Sequence, residues 1–177
     1  MKVKVQVYCQ LRPRSGKEIS EKERSVLTNV DEFTVEHMWK DDKVKQHMYD
    51  HVFDGNATQD DVFEDTKYLV QSAVDGYNVC IFAYRQTGSG KTFTIYGSKS
   101  NPGLTPRAIS ELFRIIKRDS NKFSFTLKSS RSHLILSVVI ESTNLQTQSV
   151  ARGKLSFVDL AGSERVKKSG SSGSSKH

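Results

Sequence analysis

The sequence predicts an α/β sandwich, and three observations carry that reading. Apolar patterns of strand period alternate along the chain with patterns of helical period. The apolar run Asn78 to Ala83 leads into a glycine-bearing turn that ends in Gly90-Lys91-Thr92. A late, mostly apolar strand, Gly153 to Gly162, carries Asp159 near its end and reads as a strand of the sheet centre. With 177 residues the chain is long enough for one domain with its own core. That domain is expected over 1–168, with a flexible Ser/Gly tail over 169–177.

The elements follow in order. Lys2 to Leu11 alternates, with Val3, Val5, Val7 and Cys9 on one face, as a half-buried strand stopped by Pro13. A charged, weakly patterned stretch runs on to about Lys45. Thr58 is an N-cap, Asp60 and Asp61 fill the first turn, and Val62, Phe63, Thr66, Leu69, Val70 and Ala73 recur at helical spacing until Gly76. A strand over Asn78 to Ala83 and a helix from Lys91 come next. Thr105 as cap with Pro106 at the first helical position opens another helix, apolar at Ile109, Leu112, Phe113 and Ile116. Phe123–Leu127 and His133–Glu141 read as strands, ahead of the one that carries Asp159.

A formal charge of +7 favours acidic partners or phosphates, or serves solubility alone. Cys9 and Cys80 have no paired spacing and read as reduced core residues. No apolar run reaches membrane-span length and the N-terminus is no signal peptide, so a cytosolic or cytoskeletal setting is expected.

The chemistry concentrates at the turn after Ala83. Backbone N–H groups of a glycine-bearing loop wrap phosphate, Lys91 supplies charge to the outer phosphates, the Thr92 hydroxyl ligates Mg2+, and the helix N-terminus adds its dipole. A chance Gly/Ser turn is the alternative. Arg85 stands where the phosphate-loop pattern has its first glycine, and a side chain forced into a left-handed conformation there costs about 1–2 kcal/mol. Asp159 is placed to hold Mg2+ through water, and the Gly162 N–H to meet a γ-phosphate. Ser129-Ser-Arg-Ser-His133 offers hydroxyls and a guanidinium, the chemistry of a loop that closes over a triphosphate.

Gly76-Tyr-Asn-Val-Cys-Ile-Phe-Ala-Tyr84, Gln86-Thr-Gly-Ser-Gly-Lys-Thr92, Ser129-Ser-Arg-Ser-His133 and Asp159-Leu-Ala-Gly-Ser-Glu164 together, in this order, resemble the kinesin motor domain. Leu11-Arg12-Pro13 is similar to the family's adenine-contacting motif, with Gln10 where another arginine is usual. Val52-Phe53, Ala57-Thr58-Gln59 and Val62-Phe63-Glu64 also match. Asp31 to Gly76 and Arg152 to Lys168 look closest to plant calmodulin-binding kinesins of the minus-end-directed, kinesin-14 type.

The resemblance implies a P-loop NTPase three-layer sandwich with a mixed, mostly parallel central sheet. It implies ATP and Mg2+ as cofactors. Arg12, Pro13 and Phe93 would flank the base, while Gln86, Thr87, Gly88, Ser89, Gly90, Lys91 and Thr92 would hold the phosphates. Thr92 and Asp159 would hold the metal. Ser130 would sense the γ-phosphate together with Gly162, and Arg131 would pair with Glu164 when the loops close. A surface ion pair worth about 0–1 kcal/mol is the plainer reading of Arg131 and Glu164.

The implied partner is the microtubule, with neither nucleic acid nor membrane and with the subfamily's calmodulin-binding tail absent. The implied place is the cytoplasm and cytoskeleton. Compared with the family pattern, several strands and a long helix are missing between Lys128 and Ser129, and the chain stops soon after Glu164, so an incomplete motor domain is expected. Three functions follow: an ATP-dependent microtubule motor segment with impaired turnover, a non-catalytic nucleotide- or tubulin-binding module, or a product without a stable fold. His47 and His51, four residues apart, lack a third metal ligand nearby, and Lys167 and Lys168 read as a solvated tail.

Overall fold

The computed structural model describes residues 5–13, 16, 20, 26–39, 43–85, 90–132 and 134–160. Gln86, Thr87, Gly88, Ser89, His133, Gly162, Glu164, Lys167, Lys168 and the tail over 169–177 lie outside the described residues.

The described strands are β1 (Tyr8–Gln10), β2 (Leu27–Asn29), β3 (Thr34–Met38), β4 (Val44–Met48), β5 (His51–Phe53), β6 (Asn78–Ala83), β7 (Phe123–Arg131), β8 (Ile135–Asn144) and β9 (Val150–Asp159). The helices are α1 (Gln59–Thr66), α2 (Tyr68–Val74), α3 (Lys91–Ile95) and α4 (Leu104–Asp119). They build a four-stranded sheet in the order β6-β9-β8-β7, a three-stranded sheet β2-β3-β4 and a parallel pair β1-β5.

The main sheet is mixed, as expected, but its parallel share is smaller. β6 runs parallel to β9, whereas both neighbours of β8 are antiparallel to it. The cause is local: β7, β8 and β9 follow one another through short connections, which permit antiparallel pairing alone.

Strand alternation decides the core. Val79, Ile81, Val138, Ile140, Leu155 and Phe157 face the helices and pack with Val70, Ala73, Ile95, Ala108, Leu112 and Ile115. The other face of the sheet has no helix on it among the described residues. Cys80 is exposed there for the same reason, against its reading as a core residue, and Cys9 is half-buried. Burial pushes the Cys9 thiol up, although a hydrogen bond from Tyr49 and the charge of Arg85 oppose it.

Thr58 caps α1 as the sequence predicts. Its side chain accepts from the Asp61 N–H, and the Asp61 carboxylate accepts from the Thr58 N–H at 2.7 Å. That charge-assisted bond holds the Asp61 carboxyl below its ordinary range. The helix continues past Lys67 as a separate segment. Thr66 Oγ1 turns back onto the Val62 and Phe63 carbonyls, at 3.0 and 3.2 Å, a contact that bends helices. Gly76, at φ 102°, ends α2.

Several expectations are corrected. Val5 and Val7 are exposed, and β1 begins only at Tyr8. The stretch read as unpatterned contains β2, β3 and β4, antiparallel strands. α4 is capped by Gly103 rather than Thr105, and Pro106 falls at the third helical position, where no intrahelical N–H bond is lost. Its buried stripe is Leu104, Ala108, Leu112 and Ile115, so Phe113 stays exposed. None of the described helices is long and apolar enough to cross a membrane.

Candidate functional site

β6 and β9 lie side by side in parallel, with Ala83 opposite Asp159. The end of β6 delivers the chain to the phosphate-loop turn, and Gly90 adopts a left-handed φ of 98° as the N-cap of α3. Glycine is needed there because a Cβ is strained in that conformation. α3 then starts on Lys91 and Thr92, and Thr92 comes beside Asp159. Thr92 Oγ1 donates to Asp159 Oδ2 at 2.7 Å, across 67 residues of sequence. Lys91 Nζ donates to the Arg85 carbonyl at 2.8 Å. Two hard oxygen donors and a cation at a helix N-terminus are the chemistry a Mg2+-phosphate group requires.

The strain expected at Arg85 is overturned. Among the described residues, Gln148 is the sole non-glycine at positive φ, so Arg85 keeps an ordinary backbone conformation. The Arg85 carbonyl is the acceptor for Lys91.

The residues expected to flank the base divide between two elements. Arg12 and Pro13 follow β1 and are exposed, with Arg12 Nη1 donating to the Pro13 carbonyl at 3.0 Å. Phe93, in α3, is 47% exposed and so presents a free ring face. Two contacts hold α3, one from β1 and one from α1, and sequence reading assigned neither. Thr94 Oγ1 donates to Gln10 Oε1 at 2.9 Å, and Gln59 Nε2 donates to the Phe93 carbonyl at 2.7 Å. Gln10 was visible only as a departure from an arginine, and Gln59 only as part of a matched motif.

The closing loop expected from Ser129 to His133 differs most. Ser129, Ser130 and Arg131 are the last residues of β7, paired with Val138, Ser137 and Leu136 of β8. Ser132 and Ile135 close the connection, with Ser132 N–H on the Ile135 carbonyl at 2.8 Å. Alternation sends Ser130 to the open face, opposite to the face of Thr92 and Asp159. Arg131 reaches the helix side, its guanidinium 5.7 Å from the centre of the Tyr96 ring. Its expected partner, Glu164, and the N–H of Gly162 lie outside the described residues, as do Gln86 to Ser89.

The paired histidines part company. His51 Nδ1 lies 2.8 Å from Asp65 Oδ2, while His47 stacks on His37 with ring centres 5.2 Å apart. No group of three metal-ligating side chains occurs among the described residues.

Comparison with known proteins agrees with this architecture. A family model described as microtubule binding matches residues 1–137, and the kinesin motor domain model matches residues 124–177. Kinesin-like protein KIN-14I of Oryza sativa subsp. japonica is 54% identical over 245 residues, covering 98% of this chain and 20% of the relative. Kinesin-like protein KIN-14E of Arabidopsis thaliana is 56% identical over 245 residues, covering 98% of this chain and 19% of the relative. The chain thus spans about a fifth of the length of these relatives. The matched span of 245 residues also exceeds the 177 of the chain itself, so the relatives carry internal segments without a counterpart here. Among solved structures, a fast kinesin superposes with a TM-score of 0.82 at 23% identity, covering 96% of this chain and 68% of that one. The C-terminal motor domain of Kar3 from Candida glabrata gives 0.76 at 25% identity, over 91% of this chain and 75% of that one. The chain belongs to the kinesin motor-domain family and is similar to its plant KIN-14 members.

Proposed function

We propose that this chain is a microtubule-associated motor-domain segment that binds Mg-ATP through Lys91, Thr92 and Asp159 and turns it over slowly. The observation that carries the reading is the contact between Thr92 Oγ1 and Asp159 Oδ2 at the start of the helix that also carries Lys91. In this reading Thr92 and Asp159 hold the metal, the latter through water, and Gln86 to Gly90 hold the phosphates. A Mg2+ ion so bound neutralises the outer phosphates. Lys91 exchanges its bond to the Arg85 carbonyl for one to phosphate, while Arg12, Pro13 and Phe93 flank the base.

Low turnover follows from the β7–β8 pairing. Closing a site over the γ-phosphate requires a segment that moves between two arrangements. Ser130 and Arg131 would have to leave a ladder of nine paired residues to do so. That pairing favours, as a second reading, a module that binds nucleotide or tubulin without turnover. The expected setting is the cytoskeleton, with microtubules as partner, and ATP hydrolysis by the segment rises little when polymerised tubulin is added.

Lys91→Ala tests the nucleotide reading. The variant is expected to lose the thermal stabilisation that Mg-ATP confers on the parent chain, because it removes the fixed cation aimed at the outer phosphates. Unchanged stabilisation places the nucleotide elsewhere.

A further inference from the structure

We infer that Gln10 and Gln59 are positioning residues that fix the gap between the two walls of the base site, an inference that rests on the nucleotide reading above. One wall is Phe93 of α3; the other is Arg12 and Pro13, directly after β1. α3 has only five residues, too few for its own hydrogen bonds to hold its direction. Its orientation therefore depends on side contacts, and two of these come from uncharged amides. Gln10, the last residue of β1, accepts from Thr94 Oγ1 at 2.9 Å across 84 residues of sequence. Gln59, at the start of α1, donates to the carbonyl of Phe93 itself at 2.7 Å.

The chemistry of each contact is specific. A threonine hydroxyl inside a helix ordinarily donates to a carbonyl one turn back. Thr94 instead donates to Gln10, so this bond links α3 to the base-flanking strand. An arginine at position 10 has no acceptor to offer and could not take this proton. β1 is anchored in turn by the Leu11 N–H, which donates to the Phe53 carbonyl at 2.8 Å. Gln59 is 2% exposed, and its Oε1 has no hydrogen-bond partner among the described residues. A buried amide oxygen left unpaired is a cost, which this fold carries while the other end of the same side chain holds Phe93. Lys91 and Thr92 have contacts of their own, to the Arg85 carbonyl and to Asp159, so loosening the clamp shifts the base contacts more than the phosphate contacts.

The test separates base from phosphate. Mg-ATP and Mg-tripolyphosphate are titrated against the parent chain, Gln10→Ala, Thr94→Val, Gln59→Ala and Gln10→Glu, with melting followed in parallel. The parent is expected to bind ATP more tightly than tripolyphosphate. Gln10→Ala, Thr94→Val and Gln59→Ala should each reduce that preference by about tenfold while tripolyphosphate binding stays within about twofold. The double variant Gln10→Ala/Thr94→Val should be no worse than either single one, and Gln10→Glu, which still accepts from Thr94, should restore the preference. An unmoved preference, or equal loss for both probes, overturns the inference while leaving the nucleotide reading intact. If neither probe binds the parent, both fail. Should Gln10→Ala not melt cooperatively, Thr94→Val decides, because it removes the same hydrogen bond without altering β1.

Discussion

The two faces of the four-stranded sheet share their strands and differ in almost everything else. On the helix face, Leu155, Phe157 and Ile140 are fully buried, and Thr92 meets Asp159 at the sheet's edge. On the opposite face, Phe82 is 59% exposed and Cys80, Lys128, Ser130 and Lys154 meet solvent. The cause is a single layer of helices against side chains that alternate every residue. The difference teaches how motifs survive or fail in this chain. Thr92 and Asp159 meet because two parallel strands, far apart in sequence, end side by side. Ser130 and Arg131 need a free loop, and once drawn into β7 they point to opposite faces and cannot serve one ligand together.

The largest effect expected from this contrast is at Gly153. A Cβ there would lie 2.0 Å from the carbonyl oxygen of Ala73 in α2, so Gly153→Ala must push the helix off the sheet. A loss of about 3 kcal/mol or more is expected in denaturant unfolding. A near-neutral Gly153→Ala would mean that the helix layer is loosely seated and the contrast between the faces overstated.

A matched pair of truncations sharpens the comparison. Leu155→Ala on the helix face should cost about 3 kcal/mol, whereas Phe82→Ala on the open face should cost about 0.5 kcal/mol. Equal losses would show that something covers the open face in solution. Arg85→Gly is expected to have an effect of the same small size as Phe82→Ala. Since Arg85 does not have a positive φ, glycine relieves no left-handed strain there, while it enlarges the freedom of the unfolded chain. Stability should fall by about 0.4–1 kcal/mol with ATP affinity unchanged. Tighter ATP binding by the glycine variant would restore the strain account.

The sequence announces the helix face well and the open face poorly. The Thr58 cap, the strand–turn–helix ending in Gly90-Lys91-Thr92 and the buried strand through Leu155 and Phe157 are all written in local patterns of period, cap and glycine. The strands from Leu27 to Met48 are not, because their exposed charged and polar residues carry no alternation that a buried face would impose. Lys128-Ser-Ser-Arg131 likewise lacks any apolar period. Those residues are strand because β8 offers a ladder to pair with, a tertiary cause. Arg85 was misjudged for a related reason: the pattern names a glycine, but only the backbone shows whether a left-handed angle is required. The Gln10 and Gln59 contacts join residues 84 and 34 positions apart, beyond the reach of spacing arguments.

The central claim is that the proposed phosphate-binding end is assembled while Ser130, the proposed γ-phosphate sensor, is held in a strand. Titration calorimetry of Mg-ATP against Mg-ADP tests it most directly, because a ligand is favoured only by contacts that differ between the two. The account predicts measurable binding of both, with affinities within about threefold of each other, and no change in their ratio on Ser130→Ala. ATP binding at least about tenfold tighter than ADP, with the advantage lost in Ser130→Ala, would contradict it and show that β7 and β8 unzip around a triphosphate.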